Sequence, residues 1–458
     1  MKKVWSVLLV VAVLMSLCVG FAGAASAEGD TITLNFWGWG TEWNDYYDYF
    51  LKTHPDTKIR LNIISKAWDE YQVALDTALA SGGSAQDYPD LFCAESSFVQ
   101  KYISSEYSMN LLNLDPNFLT TLKAAGAAEY ALGVGTDASG TLKGISFQNC
   151  ALGFYYRVSL AEKYLGTSDP AKVQESFKDL DTMIATAEKI HKDSNGTVAL
   201  CSSIDDLSST YYGTFEQPLV ADGKIYLGPE LIRYVDDMKY MVDNGMVNNT
   251  KLFDTAWTND INDQNEIKVF GFGGAPWKFN LKIATQDVST SGDWHVTSSI
   301  VPSFNGGTWL GVGKDADPAK YQAILEFLNF WGVDASENGL GQYLANAGDC
   351  PVLTSAIDRL SKDFSLKAAG GQNTLEVYAQ NIENFPADSL AVKNFNYYTG
   401  TARDYLSTAV EAWISGETGS LQETMEYYVE QVESTIDISE QPDVAAAVAA
   451  YEAWKAAR

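Results

Sequence analysis

The stretch Val301–Trp331, VPSFNGGTWLGVGKDADPAKYQAILEFLNFW, decides how the chain folds. Asn305-Gly306-Gly307 is a turn signal, and Thr308–Val312 behind it is short, apolar and strand-like. Asp317 stands where it caps a helix that begins with Pro318, whose fixed φ suits the first helical position. Tyr321, Ile324, Leu325, Leu328 and Trp331 then fall on one helical face. One strand–helix unit says little alone. Its meaning comes from similar units before residue 150 and dissimilar chain in between.

The earlier units start at Asp30. Ile32, Leu34 and Phe36 alternate as a strand, followed by the loop Trp37-Gly38-Trp39-Gly40. The spacing predicts a helix from Trp43 to Lys52, ended before His54-Pro55 because a residue preceding proline is biased out of helical geometry. Ile59, Leu61 and Ile63 form a second strand. Tyr71, Leu75, Ala78 and Leu79 line a second helix closed by Gly82-Gly83, and Leu91-Phe92-Cys93 is a third strand. Such alternation implies a parallel sheet covered by helices. Ligands of such sheets sit beyond the carboxyl ends of the strands, here the loops 37–43, 66–69 and 94–97.

After the β-prone run 144–157, GISFQNCALGFYYR, the pattern changes. Leu180, Met183, Ile184, Ala187 and Ile190 mark a helix, 198–201 a strand and 231–244 a helix; 267–272 is a strand leading into Gly273-Gly274-Ala275-Pro276-Trp277. The opening stretch then resumes the first pattern. The remainder is helical, with Tyr405, Leu406, Ala409, Val410 and Trp413 on one face ended by Gly416, and two further helices. A chain that leaves one lobe, builds another and returns crosses several times, and multiple crossings make a hinge. The expected division places 28–147 and 311–348 in an N-terminal lobe, and 148–310 and 349–458 in a C-terminal lobe.

The first 27 residues read as a cleavable signal peptide. Lys2 and Lys3 precede an apolar run that is shorter than the ~20 residues a membrane span needs, and Ala25-Ser26-Ala27 is a small-residue cleavage site. Cys18 raises acylation as an alternative, but Met15-Ser16-Leu17 before it lacks the small residue a lipoprotein site places there. Export with full cleavage is expected. The 458 residues are too many for one ordinary core. A net charge of −28 opposes a nucleic-acid partner, whose phosphates would be repelled. Arginines are few and dispersed, so a site that grips phosphate or carboxylate has little to draw on, and an uncharged ligand is expected. Cys93, Cys150, Cys201 and Cys350 have no motif spacing; disulfides and free buried thiols stay equal readings.

Several pieces carry a family resemblance: Pro89-Asp90-Leu91, the run 140–147 leading into Leu152–Arg157, Gly273–Trp277, 306–316 and 337–351 with Gly348-Asp349-Cys350-Pro351. In their order and spacing the chain resembles the family 1 extracellular solute-binding proteins, sugar-capturing components of ABC importers distantly like maltose-binding protein. The resemblance implies a two-lobed periplasmic-binding-protein-like fold of type II, each lobe a mostly parallel sheet flanked by helices, with a helical C-terminal part. It implies a sugar, an oligosaccharide by the aromatic abundance, as ligand, and a separately encoded ABC permease as partner. It also implies a monomer in the periplasm or on the cell-envelope exterior, and neither cofactor nor metal. The chain departs from the family in lacking a proline at 144–147 and in having Arg157 where relatives carry asparagine.

A sugar offers apolar C–H faces to aromatic rings and hydroxyl edges to polar side chains. With 12 Trp and 25 Tyr the chain holds more rings than a core needs. Trp277 is the first candidate, since by resemblance it matches the aromatic that sugar-binding relatives stack from the second lobe. Trp309, on the strand where the chain returns, is expected to act as hinge and platform together. Trp37, Trp39, Glu42 and Trp43 occupy the first strand-end loop, and Trp68 and Glu95 the next two. Asn149, Tyr212, Glu216 and Arg403 complete the ligand-binding set. Catalytic signals are weak: the three histidines have no metal-ligand spacing, and nucleophile-elbow and phosphate-loop motifs are absent. Two rivals stay open, a secreted glycoside hydrolase and a polyamine or metal-ion binder on the same fold. The first needs two carboxyls across the scissile bond; the second needs cleft carboxylates in place of aromatic platforms.

Overall fold

A computed structural model describes residues 31–458 of the chain. The expected signal peptide and Cys18 lie outside the described residues. Among the described residues twelve strands occur in chain order: β1 Ile32–Trp39, β2 Ile59–Lys66, β3 Leu91–Glu95, β4 Gly144–Ser146, β5 Gly153–Arg157, β6 Val198–Ala199, β7 Val220–Ala221, β8 Lys224–Ile225, β9 Lys268–Val269, β10 Gly271–Gly274, β11 Trp294–Ser298 and β12 Thr308–Val312.

The first sheet has the order β2-β1-β3-β12-β4. The first three strands are parallel, with Ile32 opposite Ile59 and Phe36 opposite Leu91, as their strand–helix alternation requires. β12 enters between β3 and β4 and runs antiparallel to both, with Thr308 opposite Glu95 and Leu310 opposite Ile145. The strand of the opening stretch is thus the one from late in the chain that completes an early sheet. The first sheet takes it up at Thr308, three residues before the expected return at 311. All five of its residues are buried, because both faces of the sheet are covered. Leu34, Phe36 and Leu310 pack under the helices Glu42–Thr53 and Tyr321–Gly332, while Trp37 and Trp309 face the opposite core with Tyr71 and Leu75.

The second lobe has a different sheet. In β10-β5-β11 the central strand runs antiparallel to both neighbours, so the expectation of a mostly parallel sheet holds for the first lobe but not for this one. β10 and β11 point the same way, but β5, arriving from the crossing, sits between them, much as β12 sits between β3 and β4. Parallel pairing survives at the edge, where β6 meets β9 and continues through the bonds of Phe270 N–H to Ala199 O and Gly271 N–H to Leu200 O. The helices Thr399–Ser415, Leu421–Glu433 and Val444–Ala456 close this core around Met238, Leu406, Met425 and Tyr451. Gly416, at φ +81°, ends the first of them.

Three segments connect the sheets and lie side by side. Asn149 N–H donates to Cys350 O, Asn305 N–H to Cys150 O, and Leu152 N–H to Ser303 O, at 2.8–3.0 Å. Among the described residues the four cysteines, Cys93, Cys150, Cys201 and Cys350, are free and buried. Arg157 is a packing residue: buried, it bonds Asp263 and Asp293 and lies against the Trp294 ring. Among the described residues no helix is long and apolar enough to cross a membrane.

Candidate ligand-binding cleft

A cavity of about 970 Å³ opens between the two sheets, beside the crossing segments. It lies at the carboxyl ends of β1, β2 and β3, where parallel strands direct their following loops. Those loops supply Trp39, Glu42 and Trp43, then Trp68, then Glu95 with Ser96 and Ser97. Trp39 is partly exposed and meets Trp43, Trp68, Tyr71 and Phe98 edge-on, at 5.2–5.8 Å between centroids. Such edge-to-face contacts favour one ring orientation. Trp43 borders the cavity, but it is nearly buried and its indole N–H donates to Trp39 O, so it supports Trp39 from behind.

The opposite wall is built from the second lobe. Trp277 sits in the short helix Pro276–Phe279, which starts on a proline directly after β10. Its indole N–H donates to Asn305 O at 2.8 Å, and its ring lies against Gly306. Gly306 has φ +68°, and a Cβ there would come within 2.9 Å of the indole nitrogen. The glycine turn of the opening stretch is therefore the bed on which Trp277 rests. Phe253 stands at 6.1 Å from Trp277, near a right angle. Asp205, Ser209 and Tyr212 face the cavity from one side of the helix Asp205–Tyr212, and Asn305 Nδ2 donates to Ser209 Oγ.

From the helix Thr399–Ser415 come Gly400, Arg403, Asp404 and Ser407, again one face. A Cβ at Gly400 would fall 1.8 Å from Ser97 O, so only glycine lets this helix meet the loop after β3. The Arg403 guanidinium stacks 4.3 Å from the Tyr212 ring centroid and 5.5 Å from that of Phe395, while its Nε has no partner. Burial pulls its pKa down to about 10, with Tyr212 and Asp404 opposing, so it stays cationic at neutral pH. Asp349, on the third crossing segment, is 5 % exposed. Desolvation raises its pKa to about 7, against bonds from Cys350 N–H at 2.7 Å and Gln148 Nε2 at 3.4 Å.

The profile of the bacterial extracellular solute-binding proteins matches residues 45–370. The chain belongs to this family. A solved extracellular solute-binding protein of family 1 superposes with a TM-score of 0.70 at 16 % identity, covering 88 % of this chain and 99 % of its own. The galacto-N-biose/lacto-N-biose I-binding protein of an ABC transporter from Bifidobacterium longum, in complex with lacto-N-biose, gives 0.66 at 14 % identity, with 90 % and 100 % covered. Maltose-bound T. maritima MalE3 gives 0.60 at 16 % identity, with 88 % and 99 % covered. No curated protein sequence matches. The family is one of binding proteins, and these likenesses carry the two-lobed fold expected from the sequence.

Four of the expected site residues lie away from the cleft of this solute-binding protein. Trp37 shares the face of Trp39 but lies two residues further from the strand end, buried with Tyr71 and Leu75, its indole N–H donating to Asp87 O. Trp309 is 1 % exposed and donates to Ala131 O, so it serves the hinge strand and offers no platform. Asn149 is fully buried in the first crossing segment, where its Oδ1 accepts from Tyr130 OH and Ala151 N–H. Glu216 borders a separate cavity of about 200 Å³ with Phe215 and Tyr226. Sequence reasoning missed Tyr46, Asp205, Phe253, Asn305, Asp349 and Asp404. The signal for Asp205 was present, four and seven residues before Ser209 and Tyr212 on a helical face. Asp404 and Ser407 flank Arg403 in the same way, and Asp349 stands inside a segment that carried the family resemblance.

Proposed function

We propose that this solute-binding protein is an exported ABC-importer receptor that closes two hinged lobes around a saccharide of more than one ring and delivers it to a membrane permease. The observation that carries the reading is a cavity of about 970 Å³ with indole rings on both walls, Trp39 and Trp68 facing Trp277. Such a volume exceeds what one hexose fills, and two aromatic walls suit a flat ligand with apolar faces. Hydrogen-bonding groups at the edges, Glu42, Asp205, Asn305 and Arg403, match hydroxyl rims. Contacts made only when both walls touch the ligand favour the closed form. The galacto-N-biose/lacto-N-biose- and maltose-bound relatives support a sugar as the ligand class.

A thermal-shift screen of mono-, di- and trisaccharides tests this, because a ligand that binds only the native state raises Tm by mass action. Stabilisation by at least one oligosaccharide, without its cleavage, is the expected result. Sugar cleavage lost on mutating a cleft carboxylate would favour a glycoside hydrolase, and stabilisation by metal ions alone would remove the saccharide reading.

A further inference from the structure

The charges of the cleft are one-sided. Five carboxylates from five separate stretches line it, Glu42, Glu95, Asp205, Asp349 and Asp404, against a single cation, Arg403. Neither lysine nor histidine lines it. None of the five forms an ion pair among the described residues. Within the cleft Glu95 accepts from Ser96 Oγ and from Ser97 N–H and Oγ, and Asp349 from Cys350 N–H and Gln148 Nε2, but no cation pairs with either. Carboxylates buried in the cores are paired with lysine or bonded by several donors. Asp90 has Lys320 at 2.7 Å and Asp206 has Lys278 at 2.6 Å, while Asp260 accepts from Ser202, Asn248 and Asn265. Asp205 and Asp206 are adjacent in sequence, yet the one turned to the core has its lysine and the one turned to the cleft has none.

This imbalance has an energetic sign. Glu42, Asp205, Asp349 and Asp404 all have raised pKa values, led in each case by desolvation. At Asp404 the facing Glu95 adds to the rise. A neutral ligand would desolvate these carboxylates further, whereas a cationic one compensates them. A metal ion fits poorly, since among the described residues no three His, Cys, Asp or Glu side chains gather tightly enough to hold one. An acyclic amine would satisfy the carboxylates and lay its cation over one indole, but it lacks the apolar ring face that suits three indoles around one cavity.

We propose that the saccharide bound in this cleft carries a basic amino group, an amino sugar whose ring stacks on the tryptophans and whose ammonium lies among the unpaired carboxylates. The inference rests on the saccharide reading above and replaces the uncharged ligand expected from the sparse arginines, which exclude an anion but do not exclude a cation. It also gives closure a driving force: an ammonium between Glu95 on the first wall and Asp404 on the second turns a repulsion into an attraction.

The test is calorimetric titration at pH 6 with glucosamine- and galactosamine-containing disaccharides of several linkages. Each is matched by its N-acetylated form and by the neutral sugar lacking nitrogen. The amine form of at least one set should bind about tenfold or more tighter than both counterparts, a difference of about 1.4 kcal/mol. The advantage should shrink with added salt and as the pH rises past the amine's titration. Asp404→Asn and Asp205→Asn should each shrink the ratio of amine-form to neutral-sugar affinity by about threefold or more, whatever they do to the neutral sugar itself. Equal or tighter binding of the acetylated or neutral partners would overturn the amino-sugar proposal and keep the saccharide receptor. Binding of spermidine with no response to any sugar would overturn both.

Discussion

The two walls of the cleft are held in place by different forces. The first-lobe wall is apolar: Trp39 rests on four other aromatic rings at the ends of parallel strands. The second-lobe wall rests on charge. Lys278, 1 % exposed, bonds Asp206 at 2.6 Å, and Asp206 also receives Ser203 N–H and the Trp257 indole N–H. Asp205 and Trp277, the cleft-facing neighbours of that pair, are positioned by it through the backbone. An apolar wall tolerates small losses by repacking; a buried ion pair does not, because removing one partner strands the other.

The sharpest way to break this comparison is Lys278→Ala. Leaving Asp206 buried and uncompensated should cost about 3–5 kcal/mol, read as a lowered urea midpoint. A loss below about 1 kcal/mol would mean that the second wall does not depend on the pair.

Trp277→Ala separates binding from folding on the same wall. The ring is partly exposed and lies over Gly306, so its loss should weaken saccharide affinity by about ten- to a hundredfold while stability changes by about 1 kcal/mol or less. Trp309→Ala should do the reverse, destabilising the fold by about 3–5 kcal/mol as an emptied core site. Equal effects on affinity from both would erase the distinction between platform and hinge.

That pair also marks how far the sequence reached. Both tryptophans flank the same glycine turn, and nothing in local pattern says that one faces the cleft and the other the core. The first sheet was legible because its strands and helices alternate with the periods of 2 and 3.6 that burial imposes. β12 was legible for the same reason, and its partners followed from the return of the pattern. The second sheet was not, because the antiparallel pairing of β5, β10 and β11 is set by a crossing and a turn that leave no period. Likewise the first wall of the cleft follows from strand ends, whereas Asp349, Asp404 and Phe253 meet there only through contacts far apart in sequence.

Asp349 offers a pH-dependent comparison of the crossing segment with either wall. Tyr46, Gln148, Cys150 and Cys350 lie around it and supply no cation. Its folded pKa, raised to about 7, lies above the unfolded carboxylate value, so its protonated form favours folding. That stability is fully present below the unfolded pKa and is lost as the pH rises through about 7. Asp349→Asn should therefore gain stability relative to the parent chain as pH rises from about 4 to 7, by no more than about 1.4 kcal/mol per pH unit, and level off above. Urea midpoints of both chains across that range check it; a constant difference would mean that the carboxyl is not desolvated in solution.

The smallest effect is expected from Trp68→Ala, on the first wall. Trp68 is 52 % exposed and opens the helix Trp68–Ala80, where its ring caps the aromatic group 5.2 Å from Trp39 and 5.7 Å from Phe98. Little packing is lost with it, so stability should change by about 0.5 kcal/mol or less. Trp39 keeps its three other ring neighbours, so affinity should fall only about three- to tenfold. Titration of the variant with the best saccharide measures this directly. A loss as large as that of Trp277→Ala would make both indoles equal platforms, and the first wall would then hold its ligand by an exposed ring as well as by the packed cluster behind it.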